Sequence, residues 1–276
     1  MTTLFRGAKL RFKKILERFA PGIYRVVRKR YYLRLCRSFC IKNEPDLSII
    51  RHLIKPGHQV IDIGANIGGH TKVLSVLVGS GGRVYSIEPL PSTYEILVHN
   101  CKKLGLDNVE AINMAVSSRS GSVQMSLPTD ASGAETHYRA AVVDNDFPTT
   151  GGQMIEVPAI TMDGRFLSVA RQIAFIKCDI EAHELECLKG AREFLAMTQC
   201  AWLVEVSGDP GRPGSQAQKV FKYFIDSKYT AWRVDGLALR PRCRGDNGGD
   251  TFFLKQEHLD RLKLSQGVRF AADCSS

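Results

Sequence analysis

Three carboxylates, those of Asp179, Glu181 and Glu205, occupy the positions in this chain that are best suited to chemistry. Each lies at the C-terminal end of a predicted strand. Ligands of open α/β sheets bind at such ends, so the three side chains are expected to converge on one region. There they could bind a hydroxyl acceptor, with Asp179 as the general base or the group that orients it, or hold Mg²⁺ through oxygen ligands. Glu181 could instead cap the following helix, and His183 is either a further candidate base or a structural residue.

A glycine-rich turn follows another predicted strand, and it begins with a carboxylate. The turn has the sequence Asp62-Ile63-Gly64-Ala65-Asn66-Ile67-Gly68. Its glycines allow the backbone to bend sharply and to approach a ligand closely, and the helix predicted over residues 67–78 directs its free N–H groups toward that ligand. Asp62 would repel a pyrophosphate, but it suits a ligand with an ammonium or sulfonium group. We therefore predict that the turn binds S-adenosylmethionine through Asp62, Gly64, Ala65, Asn66 and Gly68.

Glu88 indicates that the ligand is a nucleoside. It lies at the C-terminal end of the next predicted strand, directly before Pro89. An acidic side chain about 20 residues beyond a glycine turn is placed to accept hydrogen bonds from ribose hydroxyls. NAD-binding proteins share this feature, so an NAD-dependent or nucleotide-sugar-dependent enzyme is the alternative interpretation. Asp62 ahead of the glycines, and the lack of a complete GxGxxG pattern, argue against that alternative.

Predicted strands and helices alternate from residue 44 onward, as in a doubly wound, mostly parallel α/β sheet. The predicted strands cover residues 59–64, 83–88, 108–114, 173–179 and 201–206. The predicted helices cover residues 46–54, 67–78, 91–105, 184–197 and 215–228. Two short alternating runs, 121–127 and 155–160, flank segment 128–154, which we interpret as a loop over the active face. In that loop, His137, Tyr138 and Arg139 are candidates for contact with an acceptor.

The composition is typical of a globular protein, since 44% of the 276 residues are hydrophobic and 24% are charged. No apolar run approaches the roughly 18 residues of a membrane-spanning helix, and the N-terminus lacks the apolar core of a signal peptide. The eight cysteines form no CxxC pair, which disfavours a metal site and favours thiols in a reducing compartment. We therefore expect a cytoplasmic protein.

The excess positive charge lies in residues 1–42, which hold 13 Lys and Arg but only one acidic residue. We therefore divide the chain into a basic N-terminal segment, 1–42, and a catalytic domain, 43–276. Residues 4–19 place apolar side chains on one face of a predicted helix and basic side chains on the others. Residues 1–37 could contact an anionic membrane, at the inner face for a cytoplasmic protein, or pack against the domain. Nucleic-acid binding is disfavoured because no recognised motif supports it, and scarce serines disfavour an organelle targeting peptide.

The chain resembles the FkbM-type S-adenosylmethionine-dependent methyltransferases over about residues 55–207. The block around Asp179 is the most specific part of the resemblance. The family usually has glycine where this chain has Ala182, a small residue in place of His183, and an aromatic residue in place of His70. The matching segments are residues 62–68, 88–100, 113–117, 161–163, 176–190 and 204–205.

The resemblance implies a class I methyltransferase domain over residues 43–276, with a Rossmann-like, seven-stranded, mostly parallel sheet. It implies that Asp62 and Gly64 lie by the methionine end of S-adenosylmethionine and that Glu88 holds the ribose. The strand end formed by Asn113, Met114 and Ala115 would lie beside the adenine. The remaining cofactor-binding candidates in these motifs are Pro89 and Asp179.

These features together predict an O-methyltransferase that acts on a hydroxyl of a glycan, a lipid-linked sugar or a natural-product scaffold. A membrane-recruited cofactor-binding protein without catalysis is the remaining alternative. The sequence leaves open the identity of the acceptor, any requirement for Mg²⁺, and the oligomeric state.

Overall fold

A large central sheet organises the protein in a computed structural model that describes residues 19–40, 44–128, 141–142, 152–236, 238–243, 245–246 and 248–271. Residues 4–18 of the predicted basic helix, and His137, Tyr138 and Arg139, lie outside the described residues. The strands are β1 (Gln59–Ile63), β2 (Arg83–Ile87), β3 (Val109–Ile112), β4 (Ala115–Val116), β5 (Gly121–Pro128), β6 (Ala141–Val142), β7 (Gly152–Ile160), β8 (Ile173–Cys178), β9 (Ala201–Val206), β10 (Thr230–Asp235), β11 (Ala238–Pro241), β12 (Gly249–Leu254) and β13 (Arg269–Phe270). The helices are α1 (Pro21–Ser38), α2 (Leu47–Leu53), α3 (Gly69–Val78), α4 (Pro91–Leu104), α5 (Met162–Phe166), α6 (Glu184–Lys189), α7 (Arg192–Met197), α8 (Gln216–Asp226) and α9 (Gln256–Lys263), and a 3₁₀ helix covers Leu167–Gln172.

Nine strands form the central sheet in the order β13-β11-β10-β12-β9-β8-β1-β2-β3. From β3 to β9 all neighbouring strands are parallel, whereas β12 is antiparallel to both β9 and β10. The chain leaves β1 toward β2 on one side and later returns to β8 on the other, so a switch point lies between β1 and β8. This topology confirms the predicted doubly wound, mostly parallel sheet. Among the described residues the sheet has nine strands, since β11 and β13 extend it beyond the seven that were predicted.

Both faces of the central strands are buried, as expected for a parallel sheet that is covered by helices. On one face, Ile61 belongs to a core that includes Phe194 and Trp202 and is formed with α5 to α8. On the other face, Val60 belongs to a core that includes Leu74 and is formed with α2, α3 and α9. Alternate residues of β1 therefore serve opposite cores, and the ends of the strands are left to form a site.

A second, four-stranded sheet has the order β4-β7-β5-β6. Its main element is the antiparallel pair of β5 and β7, which corresponds to the two alternating runs predicted at 121–127 and 155–160. Met125, Leu127, Val157 and Ala159 bury their side chains in a small core that also includes Leu90. This core holds the second sheet close to the segment that follows β2.

The prediction of one continuous helix over residues 184–197 is wrong, because this segment forms two helices, α6 and α7. Gly190 lies at the break, where a Cβ atom would come within 2.2 Å of the carbonyl oxygen of Ser117. Asp163 then accepts hydrogen bonds from the backbone N–H groups of Phe194, at 2.7 Å, and Glu193, at 3.2 Å. The side chain of Asp163 thus satisfies the first amides of α7, as an N-terminal cap does.

Helix α1 packs on the domain beside α3 and α4. Its Arg25 forms an ion pair with Glu95 on α4, and the thiol of Cys36 donates to the carbonyl oxygen of Gly68 at 3.2 Å. Lys72 of α3 donates to three carbonyl groups at the C-terminal end of α1, at 2.8–3.0 Å. A cation is favourable there because these carbonyls lack partners within the helix. Within the described ranges, no helix has both the length and the apolar character required to cross a bilayer.

Most of the described cysteines are unpaired, and four of them, at positions 36, 178, 187 and 200, are buried. Six of them, at positions 36, 40, 101, 178, 187 and 200, are free thiols. Cys243 is disulfide-bonded, which the sequence analysis did not predict.

Candidate active site

A cavity of about 490 Å³ opens at the carboxyl ends of β1, β2 and β8, next to the switch point of the sheet. Its volume lies within the range of small-molecule sites. The walls come from the glycine turn after β1, the segments after β2 and β3, the loop after β8, and the C-terminal end of α1. The sequence-predicted residues that line it are Gly64, Ala65, Asn66, Glu88, Pro89, Met114, Ala115, Asp179, Glu181, His183 and Glu205.

The glycine turn has the backbone conformation predicted for it, but for an additional reason. Gly64 has φ +80°, and a Cβ atom there would lie 1.9 Å from the carbonyl oxygen of Asp179. Gly68 has φ +91°, and its Cβ would lie 2.9 Å from Leu97. Both positions therefore require glycine because of the close approach of the protein itself, as well as the left-handed conformation. Gly64 lines the cavity, whereas Gly68 starts α3 behind it.

Asp62 lies behind the cavity wall. Its side chain is fully buried, and one oxygen accepts a hydrogen bond from Thr71 at 2.6 Å. Thr71 in turn accepts a hydrogen bond from Ser86 at 3.0 Å. Burial raises the pKa of Asp62, against the opposing effect of Lys177. Strand alternation directs Asp62 toward α3, so the carboxylates that face the ligand space are others, and not Asp62 as expected from the sequence.

Glu88 is a buried carboxylate that faces the cavity. Its two oxygens accept hydrogen bonds from the backbone N–H groups of Asn66, at 2.9 Å, and Leu90, at 3.0 Å. Burial raises the pKa of Glu88 to about 7, although the two backbone hydrogen bonds act in the opposite direction. Because a carboxylate oxygen can accept more than one hydrogen bond, Glu88 keeps the capacity to bind ligand hydroxyls.

An apolar section of the cavity lies beside Glu88, lined by Leu90, Met114, Val116 and Met125. Such a section suits a planar base. Asn113, which was predicted to lie beside the adenine, is not among the lining residues. Its amide donates to the backbone carbonyls that directly follow β2, at 2.8 and 2.9 Å, so it holds two strand ends together. The residues after Asn113 therefore form the wall, while Asn113 itself fixes their position.

The predicted acidic cluster forms at the ends of β8 and β9. Lys177 is 4% exposed and donates to Asp179 at 2.8 Å, and Glu205 shares a hydrogen bond with Asp179. Burial alone would raise the pKa of Asp179, but Lys177 and the hydrogen bond from Glu205 hold it below its usual value. The hydrogen bond with Asp179, then burial, raises the pKa of Glu205 to about 8. Near neutral pH this pair of carboxyl groups therefore shares one proton, with Lys177 as its counterion.

The loop after β8 brings Glu181 and His183 to the same cavity. Glu181 is exposed at its rim, whereas His183 is buried with its Nε2 atom 3.0 Å from the hydroxyl of Ser117. Glu181 and Ala182 have φ angles of +50° and +70°. Ala182 therefore adopts a left-handed conformation that glycine adopts without strain.

Several cavity residues were missed by the sequence analysis. His70 lines the cavity, with its ring centroid 4.7 Å from that of Phe39, and burial lowers the pKa of His70 well below its usual value. Phe39, which follows α1, and Glu44, which precedes α2, also line the cavity. Asp250 is not among the lining residues, but it lies opposite Glu205 in the pairing of β12 with β9. Asp250 lies two residues before the apolar run Phe252-Phe253-Leu254, a pattern typical of a strand, which is the signal that could have located it.

The clustered carboxylates do not form a metal centre. Among the residues that the structure describes, no group of three or more His, Cys, Asp or Glu side chains is arranged to hold a metal ion. The Mg²⁺ hypothesis therefore gains no support from the geometry.

An open, mostly parallel sheet with an acidic cavity at its switch point agrees with the class I methyltransferase fold that the sequence resemblance implied. The sequence profile of the methyltransferase FkbM domain matches residues 62–231. This match covers more than half of the chain, so the chain belongs to the FkbM methyltransferase family, as the sequence resemblance indicated.

Other relatives match over shorter regions or with lower similarity. The protein-L-isoaspartate O-methyltransferase of Methanocella arvoryzae is 37% identical over 57 residues, and that of Methanopyrus kandleri is 40% identical over 53 residues. These matches cover 21% and 19% of this chain and 30% and 24% of the relatives, so less than a third of either relative's length is matched. A crystal structure of an FkbM methyltransferase from Methylobacillus flagellatus aligns with a TM-score of 0.44 at 17% identity, covering 71% of this chain and 43% of that chain.

Proposed function

We propose that this protein transfers a methyl group from S-adenosylmethionine to a hydroxyl oxygen of a glycan, a lipid-linked sugar or a natural-product scaffold. The observation that carries the proposal is the occurrence of two different carboxylate sites in one cavity. Glu88 would bind a nucleoside, and the Asp179–Glu205 pair, in which Glu205 has a pKa of about 8, would take part in proton transfer. The family supports methyl transfer, and the ability of the carboxyl pair to accept a proton supports a hydroxyl as the acceptor group.

The residues of the cavity fit S-adenosylmethionine. Glu88 would accept hydrogen bonds from the ribose hydroxyls, and the apolar section beside it would hold the adenine. The turn at Gly64, Ala65 and Asn66 would receive the methionine end. When bound, the cofactor supplies an electrophilic methyl carbon on a positively charged sulfur.

The negative charge of the cavity favours a cationic cofactor, although Asp62 itself does not face the ligand space. Its described lining residues include five carboxylates, at positions 44, 88, 179, 181 and 205, and Lys177 is the one Lys or Arg among them. Lys177 is already paired with Asp179. A pyrophosphate would therefore meet repulsion without a free cation to bind it, which disfavours the NAD-dependent and nucleotide-sugar alternatives.

The Asp179–Glu205 pair is suited to accept the proton of the acceptor hydroxyl. A general base is most effective when its pKa lies near the working pH, and Glu205 has a pKa of about 8. Lys177 keeps Asp179 ionised and oriented toward Glu205. Alignment of the acceptor oxygen with the methyl carbon would supply several kcal/mol, on the order of 7 in favourable cases. The pair would add roughly 10²–10⁴-fold by proton transfer.

The proposal is tested by incubating the protein with labelled S-adenosylmethionine and a panel of hydroxylated acceptors. We expect Asp179→Asn and Glu205→Gln to lower methyl transfer by about 10²-fold or more. The matched controls are Asp226→Asn and Glu257→Gln, which change exposed carboxylates that do not line the cavity.

Two results would contradict the proposal. Transfer that is unchanged in both cavity variants would exclude the carboxyl pair as the acceptor site. Calorimetric binding of NAD without any binding of S-adenosylhomocysteine would exclude the cofactor. Binding of S-adenosylhomocysteine with no turnover on any acceptor would instead favour the non-catalytic, membrane-recruited alternative.

A further inference from the structure

Helix α1 has an exposed face that carries large apolar side chains. Ile23, Val26, Val27 and Tyr31 are 60%, 52%, 51% and 59% exposed, and they follow helical spacing. The opposite face of α1 packs on the domain, where Cys36 is buried. A helix of a globular protein normally turns its polar side outward, and a row of exposed apolar side chains marks an interaction surface.

The same face of α1 is strongly basic toward its C-terminal end. Arg30, Arg34 and Arg37 are exposed there. The helix contains six Lys and Arg residues and no Asp or Glu. Apolar side chains in the first half and basic side chains in the second half thus share one accessible surface, which we call the α1 face.

We propose that the α1 face binds an anionic lipid surface, with the helix lying in the plane of the interface. Such a surface accepts apolar side chains at the acyl boundary and basic side chains at the headgroups, so it satisfies both parts of the face. A nucleic acid would leave the apolar part exposed. A second copy of the chain would bring two sets of arginines together without acidic partners on the helix. The charge distribution of the whole chain agrees, since residues 1–42 hold 13 basic residues and one acid, whereas the remainder holds 25 and 27.

Lipid binding by α1 would place the cavity beside the membrane. Leu35, Cys36 and Ser38, at the C-terminal end of α1, line the cavity. The three hydrogen bonds from Lys72 and the bond from Cys36 to Gly68 hold this end against the glycine turn. The acceptor would therefore be a hydroxylated group presented by a lipid. This last step rests on the proposed function, whereas the binding of α1 to lipid does not.

The first test measures co-sedimentation of the full chain with vesicles of equal parts phosphatidylglycerol and phosphatidylcholine, and with vesicles of phosphatidylcholine alone. We expect binding to the anionic vesicles that weakens as salt is added. Arg30→Glu with Arg34→Glu is expected to weaken it at least about 25-fold, because each basic side chain near an anionic surface contributes about fivefold. The control, Lys219→Glu with Lys263→Glu, makes the same change in net charge on α8 and α9 and is expected to leave most of the binding intact.

A second pair of variants tests the apolar part of the face. Ile23→Ser with Val27→Ser is expected to weaken binding by about tenfold, because both substitutions remove apolar area that the interface would bury. The control is Val76→Ser with Ile225→Ser, which removes exposed apolar side chains elsewhere on the protein. Calorimetric binding of S-adenosylhomocysteine, measured without vesicles, verifies that each variant is folded and tests the proposed function separately.

Four outcomes would overturn the proposal. The first is equal binding to both kinds of vesicle, and the second is an equal loss in the α1 variants and their controls. The third is a dimer in sedimentation velocity that Ile23→Ser with Val27→Ser dissociates, which would assign the α1 face to a second copy of the chain. Binding that survives all α1 variants but is lost on removal of residues 1–18 would likewise exclude α1 as the contact.

Discussion

Cofactor binding is expected to release a proton from Glu88. In the ligand-free protein the pKa of this buried carboxyl is about 7, because burial disfavours its charged form. Ribose hydroxyls would donate hydrogen bonds to the carboxylate and so favour the charged form. The perturbations are a change of pH between 6 and 8 and the substitution Glu88→Gln, which removes the titration but keeps the size of the side chain.

The magnitude follows from the pKa and the strength of hydrogen bonds to a charged group. With a pKa of about 7, Glu88 is about nine-tenths protonated at pH 6 and about one-tenth protonated at pH 8. Each hydrogen bond to a charged group contributes about 1.5–3 kcal/mol, which corresponds to a pKa decrease of at least about one unit. Two such bonds would return Glu88 close to its ordinary pKa. Binding should then release about 0.9 proton at pH 6, and the Kd should be about tenfold lower at pH 8 than at pH 6.

The same linkage predicts the pH dependence of stability without ligand. The folded-state pKa of Glu88 is raised above its usual 4.5, so the folded protein binds more protons than the unfolded chain between that value and about 7. The stabilisation is complete below pH 4.5 and is lost as the pH rises through about 7. It amounts to at most about 3 kcal/mol.

The assay is calorimetry with S-adenosylhomocysteine at pH 6 in buffers of different ionisation enthalpy, where the slope of the observed heat gives the number of protons released. Glu88→Gln should lose this release and most of the pH dependence of Kd. Glu205→Gln is the matched control and should keep both. Release of no proton by the unmodified protein, or the same release by Glu88→Gln, would refute the assignment of Glu88 to the ribose.

Three further predictions concern the loop after β8 and its neighbours. The value of kcat/KM should rise as the pH passes through about 8, because the shared proton then leaves the Asp179–Glu205 pair. This rise should vanish in Glu205→Gln, and an unchanged rise would mean that a different group titrates. Lys177→Met should lower the free energy of unfolding, measured by urea titration, by about 3 kcal/mol, because it leaves Asp179 without its cation. Lys222→Met is the control at an exposed ion pair, and it should lower the free energy of unfolding by less than about 1 kcal/mol. Equal costs for the two lysines would contradict this difference in burial. Ala182→Gly should stabilise the protein by about 0.5–1 kcal/mol and raise Tm by about 2 °C, because residue 182 has a left-handed conformation with φ +70°. A lower Tm would mean that alanine is not strained at this position.

Much of the fold could be predicted because its signals are local. The apolar run before Asp62 and the glycines after it predict a buried strand, a turn and a helix, and β1 and α3 occur there. Glu88 and Asp179 directly follow apolar strands and Glu205 lies near the end of one, so the parallel topology brings them to one edge of the sheet. The predictions failed where a distant contact decided the result. The break at Gly190 depends on the nearby carbonyl of Ser117, which lies 73 residues earlier in the chain.

The sequence by itself determined the family, the alternation of strands and helices, and the identity of most carboxylates at the strand ends. These features depend on residue type and on short-range periodicity. Only the tertiary structure decided which carboxylates face the cavity, because the direction of a side chain depends on the element packed against it. Asp62 is directed toward Thr71 and away from the ligand space, whereas Glu44 and the end of α1 reach the cavity from a segment that precedes the sheet. Proton sharing between Asp179 and Glu205 likewise arises from proximity and burial, which no local pattern encodes.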